Sequence, residues 1–309
     1  MKRVVSVSIG SPTRDKSVIA EILGEKFIIE RIGTNGDIKK AIEMIKELDG
    51  KVDAFGMGGI DLHLAGGANK RYVIREAIPI MKAAKKTPIV DGSGIKNTLE
   101  ARVIEYLRDN KIIEFKGKKV LVSSAADRYN MTKAIIDSGA DVIIGDIIFA
   151  LGLPIPLKKL ETFKRVADIL MPIFSKLPFK LLYPVGNKQN ESNSNKFSKY
   201  YLDADIIAGD FHFLKKYMPP RMKNKIIITN TVTSEDVEML KAKGIHMLVT
   251  TTPEFDGRSF GTNVIEAILV AVSGKHPSEI TEADYHNLLD KLDFKPRIEI
   301  LNEYMPKSE

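Results

Sequence analysis

Residues 119–131 read KVLVSSAADRYNM, an apolar run followed at once by a polar turn and a helix-like stretch. A dinucleotide-binding βαβ unit begins in this way, usually with three glycines in the turn. Here Ser123, Ser124 and two alanines stand in that place, and the turn contains no glycine. Small side chains still permit a tight turn, and the serine hydroxyls and Arg128 could hold a phosphate group. Asp127 would repel that phosphate, or it caps the following helix.

Further apolar runs follow at intervals, separated by amphipathic stretches. They lie at 141–145, 180–183, 205–209, 225–230 and 246–250. With 119–123 they make six strands, the number in a doubly wound nucleotide-binding sheet. Asp146 directly follows the second strand, where a carboxylate would hold a ribose 2′-hydroxyl. Because a 2′-phosphate would meet this carboxylate, the sequence favours NAD over NADP.

The first part of the chain also alternates between strands and helices. Strands are predicted at 4–9, 27–32, 52–57 and 88–91, and helices at 37–48, 71–84 and 98–109. We therefore predict an α/β fold with two domains. An N-terminal parallel α/β domain that binds substrate covers 1–110, and a C-terminal Rossmann-like NAD(P)-binding domain covers 113–274. A helix and a tail complete the chain over 275–309.

Composition limits the function classes. The chain has 309 residues, 44% of them hydrophobic, and no Cys, which excludes disulfides, zinc ribbons and thiol nucleophiles. No apolar run is long enough for a membrane helix or a signal peptide, so we expect a cytoplasmic protein. Much of the net charge of +7 falls within 158–200. We interpret that segment as a solvated helix face and a polar loop, and we do not expect nucleic-acid binding because interleaved aromatic residues are missing.

Three segments after strands of the first part are candidate substrate sites. The first, at 10–15, offers Ser11 and Arg14 to an anionic group. The second, at 55–63, has Gly58 and Gly59, which let a backbone approach a ligand closely, and then Asp61 and His63. Each of these segments is also consistent with an ordinary turn.

The third segment, DGSGIKNT at 91–98, lies at the predicted domain junction, where clefts form. Gly92 and Gly94 predict a flexible turn between the domains. Asn97 and Thr98 are predicted to contact the substrate. Lys96 and Asp91 are candidate catalytic groups, since burial can lower the pKa of a lysine enough for acid–base chemistry.

Polar residues also follow the later strands. Asp210, Thr229 and Thr251 are predicted to contact the cofactor, and His212 could exchange a proton near neutral pH. A single histidine is as easily structural. The five histidines show no metal-ligand spacing, so no metal site is predicted.

Three segments resemble the shikimate and quinate 5-dehydrogenase superfamily, including a bacterial group described as quinate 5-dehydrogenase-like. They are GIKNTLE at 94–100, FKGKKVLV at 115–122 and GADV at 139–142. The nucleotide domains of glutamyl-tRNA reductases and acyl-carrier-protein reductases are similar more loosely. The resemblance implies a Rossmann-like fold and NAD(P)-dependent chemistry. The family's catalytic aspartate falls on Leu99, and the N-V-T motif that precedes its catalytic lysine is absent.

We therefore expect an NAD(P)-dependent oxidoreductase acting on a small carboxylated or hydroxylated metabolite in an inter-domain cleft. Lys96, Asp91 and His63 are the candidates for proton transfer. Two alternatives stay open: a non-catalytic protein that binds a nucleotide or anionic metabolite, and a transferase or lyase on the same fold. The sequence is compatible with a homo-oligomer but does not require one.

Overall fold

The computed structural model describes residues 1–65, 71–177, 196–252, 254–255 and 258–304. It is a mixed α/β protein with two largely parallel sheets. The first part of the chain forms β1 (Lys2–Ser8), β2 (Lys16–Ile22), β3 (Glu25–Gly33), α1 (Ile38–Leu48), β4 (Ala54–Gly58), β5 (His63–Ala65), β6 (Arg71–Val73), α2 (Ala77–Met81), β7 (Ile89–Val90) and α3 (Ser93–Asp109).

The first sheet has the order β2-β3-β1-β4-β7. Strands β3 and β4 pair in parallel with β1, which lies between them. Its core strands are apolar on both faces, as expected where helices cover a parallel sheet on both sides. Helix α1 covers one face with Ala41 and Ile45, and the later helix Thr262–Ser273 packs on the other face against β1 and β4, with α3 packed beside it. The predicted parallel sheet of this part is confirmed.

The second part of the chain adds the other sheet and its helices. Its elements are β8 (Lys119–Val122), α4 (Tyr129–Asp137), β9 (Asp141–Ile144), α5 (Asp146–Leu151), α6 (Leu160–Phe174), α7 (Ser198–Asp203), β10 (Ile206–Gly209), α8 (Phe211–Tyr217), β11 (Ile226–Thr229), α9 (Ser234–Ala242), β12 (Met247–Thr250), β13 (Glu254–Phe255), β14 (Arg258–Ser259), α10 (Thr262–Ser273), α11 (Glu282–Lys291) and β15 (Arg297–Ile300).

The described strands of the second sheet have the order β15-β12-β11-β10-β8-β9. All neighbours pair in parallel except β15, which runs antiparallel to β12. From β8 the chain goes first to β9 on one side and later to β10 on the other. In doubly wound sheets such a reversal opens a crevice at the carboxyl ends of the strands, where ligands bind.

Several predicted elements need correction. The sequence analysis missed β2, which forms a hairpin with β3 through Leu23 and Gly24, both at positive φ. The helix predicted at 71–84 is instead strand β6 followed by the short α2. Pro296–Glu309 was predicted as a tail, yet β15 lies within it and completes the sheet. The strand predicted at 180–183 lies outside the described residues.

The predicted flexible turn at 92–94 is a packed contact. Helix α3 begins at Ser93 rather than at Thr98, so Gly94 lies in its first turn. Gly92 has φ +92°, and a Cβ there would stand 2.6 Å from the backbone nitrogen of Asn263 in α10. A Cβ at Gly94 would meet Glu266 of the same helix. These glycines therefore let α10, which follows the second sheet in sequence, pack against the first.

No helix among the described residues has both the length and the apolar character needed to cross a bilayer.

Candidate functional site

The carboxyl ends of both sheets face one cavity of about 230 Å³. Ser8 and Gly10 line it from the end of β1, and Gly58 lines it from the end of β4. Asp210 lines it from the end of β10, on the second sheet. The predicted arrangement, a cleft between two parallel sheets, is therefore present in the structure.

The structure divides the predicted site residues into two groups. Those that line the cavity are Arg14, Gly58, Gly59, Asp61, Asp91, Lys96, Ser124, Arg128, Asp146 and Asp210. Those that lie away from its described lining are Ser11, His63, Asn97, Thr98, Ser123, Thr229 and Thr251. Direct contact with a ligand is therefore proposed for the first group alone.

Lys96 lies at the centre of the cavity and joins the two halves of the molecule. Its Nζ is 2.5 Å from a carboxylate oxygen of Asp127, just after β8, and 3.1 Å from one of Asp61, just after β4. Its side chain is only 8% exposed, whereas that of Asp61 is 27% exposed and open to the cavity. The cluster of Lys96, Asp61 and Asp127 is called the central triad below.

The pKa values of the three triad residues are shifted in different directions. Burial alone would lower the pKa of Lys96, but Asp127 and Asp61 outweigh it and raise that pKa above its ordinary value. The predicted lowering of the Lys96 pKa is therefore wrong, and Lys96 is an ammonium ion. Burial and the neighbouring Asp127 charge raise the pKa of Asp61 well above its usual range. Asp127 is also buried, but Lys96 and Arg128 hold its pKa below the ordinary value.

The two carboxyls of the triad differ in proton affinity, because the pKa of Asp61 is raised and that of Asp127 is lowered. The Asp61 and Asp127 side chains are hydrogen-bonded to each other, and the arrangement favours a proton on Asp61. Two carboxyls that share a site titrate as a pair, with one of them retaining its proton to higher pH. Asp61 is therefore the group of the triad that can exchange a proton with a ligand.

A second group of buried charges lies next to the triad. Arg128, which is 1% exposed, pairs with Glu100 of α3 and lies 3.5 Å from Asp210. Burial raises the pKa of Glu100 to about 7, although Arg128 and Lys96 oppose this. The Asn230 amide donates to Asp210 at 2.9 Å. Although Arg128 borders the cavity, its guanidinium is engaged with these carboxyls.

Asp146 closes the glycine-free turn. Its two carboxylate oxygens accept the backbone N–H groups of Ala125 and Ala126 at 2.8 and 2.9 Å. Burial raises the pKa of Asp146 to about 6, against these two hydrogen bonds. Asp146 also accepts from its own backbone N–H, so three of the roughly four lone-pair positions of the carboxylate are used and capacity for a ligand hydroxyl remains.

Arg14 connects the two domains across the cavity. Its guanidinium lies 2.6 Å from the Nε2 of His212 and donates to the Thr231 hydroxyl at 3.2 Å. Burial and the Arg14 charge lower the pKa of His212 to about 4. His212 is therefore neutral at pH 7 and accepts from Arg14, since a guanidinium can only donate. The sequence analysis allowed His212 to exchange a proton near neutral pH, but with this lowered pKa it does not act as an acid there.

The side chains of three other predicted residues, Asp91, Ser11 and Thr229, form hydrogen bonds within the protein, and those of two more form none in the described part of the chain. Asp91 accepts from the backbone of Leu62 at 2.5 Å and from Ser93, so it fixes the loop that carries Asp61. Ser11 caps the short 3₁₀ helix that carries Arg14. Thr229 donates to the Gly209 carbonyl. Ser123 and Thr251 have buried hydroxyls with no hydrogen-bond partner among the described residues.

Three further predicted residues do not line the cavity: His63, Asn97 and Thr98. Burial lowers the pKa of the half-buried His63, which lies on β5. Thr98 is buried within α3, and Asn97 neighbours it there.

The sequence analysis missed several residues of the site. Neither Glu100 nor Arg31, which donates to the Ser8 hydroxyl and pairs with Asp15, was singled out. The apolar residues of α6, several of which line the cavity, were not singled out either. The helical spacing of α6 was visible in the sequence, but spacing does not tell a cavity wall from a core contact. Among the described residues no group of three or more His, Asp or Glu side chains is arranged to hold a metal ion.

Comparisons with known proteins assign a family to most of the chain. Residues 94–301 match a family described as "Domain of unknown function (DUF8754)". The chain belongs to this family. Residues 3–91 match a second family, described as "Domain of unknown function (DUF8753)". No curated protein matches the DUF8754 chain. The resemblance to shikimate and quinate dehydrogenases stays a prediction.

Solved structures with a similar arrangement include dehydrogenases and binding proteins. An NAD-dependent malic enzyme from Thermotoga maritima is 13% identical, with 94% of this chain and 84% of that chain covered and a TM-score of 0.34. A glutamate dehydrogenase is 11% identical, with 94% and 71% covered and a TM-score of 0.43. A 5-methylthioribose transporter solute-binding protein from Thermotoga lettingae is 11% identical, with 97% and 85% covered and a TM-score of 0.38.

Proposed function

We propose that this DUF8754 protein is an NAD(P)-dependent oxidoreductase that acts on a small hydroxylated or carboxylated metabolite in the cavity. The central triad carries the proposal. It places a buried ammonium ion beside a carboxyl group with a raised pKa, where the ends of two parallel sheets meet. Hydride transfer between an alcohol and a carbonyl needs both a group that takes the alcohol proton and a positive charge near the oxygen.

The residues around β8 fit a dinucleotide. Asp146 retains capacity for a ribose hydroxyl and would disfavour a 2′-phosphate, so NAD is the preferred form. Helix α4 begins at Tyr129 without a side-chain cap, and backbone N–H groups at a helix start suit a pyrophosphate. The negative charge of Asp127 beside that position is balanced by Lys96 and Arg128. A bound nicotinamide would accept or donate the hydride.

The chain's own residues would manage the proton and the charge. In the oxidation of an alcohol, the Asp61 carboxylate takes the hydroxyl proton while the Lys96 ammonium stabilises the oxygen that becomes a carbonyl. In reduction, the protonated Asp61 returns the proton to the same oxygen. Asp127 keeps Lys96 charged and in place throughout.

The first-domain side of the cavity would hold the anionic group of the substrate. Arg14 and Arg31 both line the cavity there, close to the serine hydroxyls at the end of β1. A guanidinium holds a carboxylate with two parallel hydrogen bonds, which fixes its orientation. A substrate carboxylate at this position would leave its hydroxyl free to face the central triad.

A turnover assay tests the proposal. The purified chain is mixed with NAD or NADP and a panel of small linear and cyclic hydroxy acids, and nicotinamide absorbance is followed. We expect turnover with at least one hydroxy acid, and a loss of about 10²-fold or more in the Asp61→Asn variant. Asp137→Asn, an exposed carboxylate on α4, is the matched control and keeps wild-type turnover. A folded protein without turnover on any member would contradict the proposal.

The second candidate is a non-catalytic protein that binds an anionic metabolite. The observation in its favour is that Lys96 is held by two carboxylates and the turn N–H groups are held by Asp146. In that case the charges of the cleft serve recognition alone. Tight metabolite binding with no dinucleotide binding would select this candidate.

A further inference from the structure

One wall of the cavity is apolar and has no role in the chemistry described above. It consists of Ile60, Leu64, Val166, Leu170, Met171 and Phe174, all of which line the cavity. We call these six side chains the apolar wall. We propose that the substrate carries an aliphatic or aromatic group that lies against this wall, next to the carbon that reacts. This inference rests on the proposed function and specifies its class of substrate.

The wall comes from one stripe of α6. Its residues 166, 170, 171 and 174 recur at helical spacing, whereas Glu161 and Arg165 on the opposite face are exposed. Met171 is buried, but Val166, Leu170 and Phe174 are only partly buried. The stripe therefore serves two purposes: part of it packs into the core, and part is left to border the cavity.

Helix α6 directs this stripe toward the first domain. The Tyr72 hydroxyl donates to Asp168 at 3.3 Å, and the Arg75 backbone N–H donates to the Ser175 carbonyl at 3.3 Å, just after the helix. The helix thus spans from the second sheet to the first domain beside the cavity. Its stripe lines the same cavity as Ile60, on the loop that follows β4, and Leu64, on β5.

The position of Ile60 places part of the wall next to the proposed reacting groups. Ile60 directly precedes Asp61, whose carboxyl is 3.1 Å from the Lys96 ammonium. An apolar group held there adjoins the atoms that exchange a proton. Asp146, the proposed ribose partner, lies instead at the end of β9 on the second sheet.

The chemistry of the wall disfavours a purely polyhydroxylated substrate. None of its side chains offers an N–H or O–H donor, so hydroxyl groups placed against it would lose their hydrogen bonds to water. A hydrocarbon group would gain free energy there in proportion to the area it buries. The substrate is therefore a hydroxy or oxo acid with an apolar substituent.

A chain-length series tests this inference without any need for turnover. The full chain is titrated calorimetrically, without cofactor, with straight-chain 2-hydroxy acids from 2-hydroxypropanoate to 2-hydroxyoctanoate and with 3-phenyl-2-hydroxypropanoate. We expect Kd to fall about fourfold for each methylene that reaches the wall. Equal Kd values across the series would overturn the inference.

Two neighbouring positions on α6 supply matched variants. Leu170→Asn puts an amide into the wall and should flatten the dependence on chain length. Ile169→Asn makes the same change on the outer face, where Ile169 is 70% exposed, and should leave the dependence unchanged. Phe174→Ala and Ile173→Ala form a second pair that adds no polar group. A dependence that survives both Leu170→Asn and Phe174→Ala would overturn the inference.

The outcomes separate this inference from the proposed function. Binding that tightens with chain length, without turnover in NAD or NADP, supports the wall and rejects the oxidoreductase. Turnover of the shortest acid with no effect of chain length supports the oxidoreductase and rejects the wall. If saturating NAD abolishes the effect of chain length, the wall belongs to a cofactor ring and the inference fails. Absence of binding by every acid rejects both.

Discussion

The two sheets present chemically different edges to the same cavity. The first-domain edge combines glycines and serines with Arg14 and Arg31, and it also carries the carboxyl groups of Asp61 and Asp91. The second-domain edge carries the carboxylates of Asp127, Asp146 and Asp210. A ligand between them meets two guanidinium groups and two carboxyls on the first edge and three carboxylates beside the buried Arg128 on the second, so the two edges suit different groups of the ligand.

Lys96 is where the two edges meet. It extends from α3 to one aspartate of each domain, so its charge holds together carboxyl groups that would otherwise repel each other. The Lys96 ammonium ion thus connects the two edges electrostatically. The predictions below alter that contrast, and they run from the largest expected effect to the smallest.

Removal of the Lys96 ammonium should have the largest effect. Lys96→Met leaves Asp61 facing Asp127 with no cation between them, and we expect turnover to fall by about 10³-fold or more. Unpairing a buried charge should also cost about 3–5 kcal/mol in the free energy of unfolding, measured by denaturant titration.

The double variant Lys96→Met/Asp127→Asn separates these effects. It removes the repulsion, so it should recover much of the stability but none of the turnover. If Lys96→Met alone kept wild-type turnover and wild-type stability, the central triad would contribute neither to catalysis nor to stability.

The two carboxyls of the triad should differ in their effect on the pH profile. Because the pKa of Asp61 is raised, alcohol oxidation in the wild type should increase as pH rises through that pKa, and carbonyl reduction should decrease. Asp127→Asn removes the neighbouring negative charge and should shift this midpoint to lower pH while retaining some turnover. Asp61→Asn should abolish the midpoint. Identical profiles for both variants would contradict the division of roles.

The arginines of the first-domain edge should control substrate affinity. Arg14→Met should raise KM for an anionic substrate by about 10- to 100-fold with a smaller change in kcat, because a charge-assisted hydrogen bond is lost. It should also raise the pKa of His212 from about 4, since the Arg14 charge helps to lower it. NMR titration of His212 measures that shift. Arg221→Met, at an exposed position, is the control and should change neither value.

Cofactor choice should give the smallest effect. Above about pH 6 Asp146 is charged, so we expect NAD to bind about tenfold more tightly than NADP. As pH falls through about 6, Asp146 becomes protonated and this preference should shrink. Asp146→Asn should lose the preference at every pH, which separates Asp146 from the titration of the 2′-phosphate itself. A preference for NADP in the wild type would remove Asp146 from the cofactor site.

Much of the fold could be predicted because parallel sheets leave a strong pattern. The buried strands β1, β8 and β12 are short apolar runs, and their spacing reveals the alternation with helices. Strand β2 was missed because its residues alternate between buried and exposed and its turn is only Leu23-Gly24. The start of α3 was misplaced because Gly92 and Gly94 suggest flexibility, whereas they allow α10 to approach closely.

The site was predictable in its location more than in its chemistry. The rule that ligands bind at strand ends found Asp61, Lys96 and Asp146 separately. It could not find that Lys96 pairs with Asp127, because those residues are brought together by the packing of α3 against α4. For the same reason the raised lysine pKa could not be predicted. The rule also selected Thr98 and Ser123, which do not line the cavity.

Calorimetric titration of the purified full chain with NAD tests the central claim most directly. We predict binding of NAD with a Kd between about 1 μM and 1 mM, the range in which enzymes typically bind their substrates. Asp146→Asn should weaken NAD binding, and Asp137→Asn, with its exposed carboxylate, should not. A folded wild-type protein that binds a hydroxy acid but neither NAD nor NADP would contradict the assignment as a nicotinamide-dependent oxidoreductase.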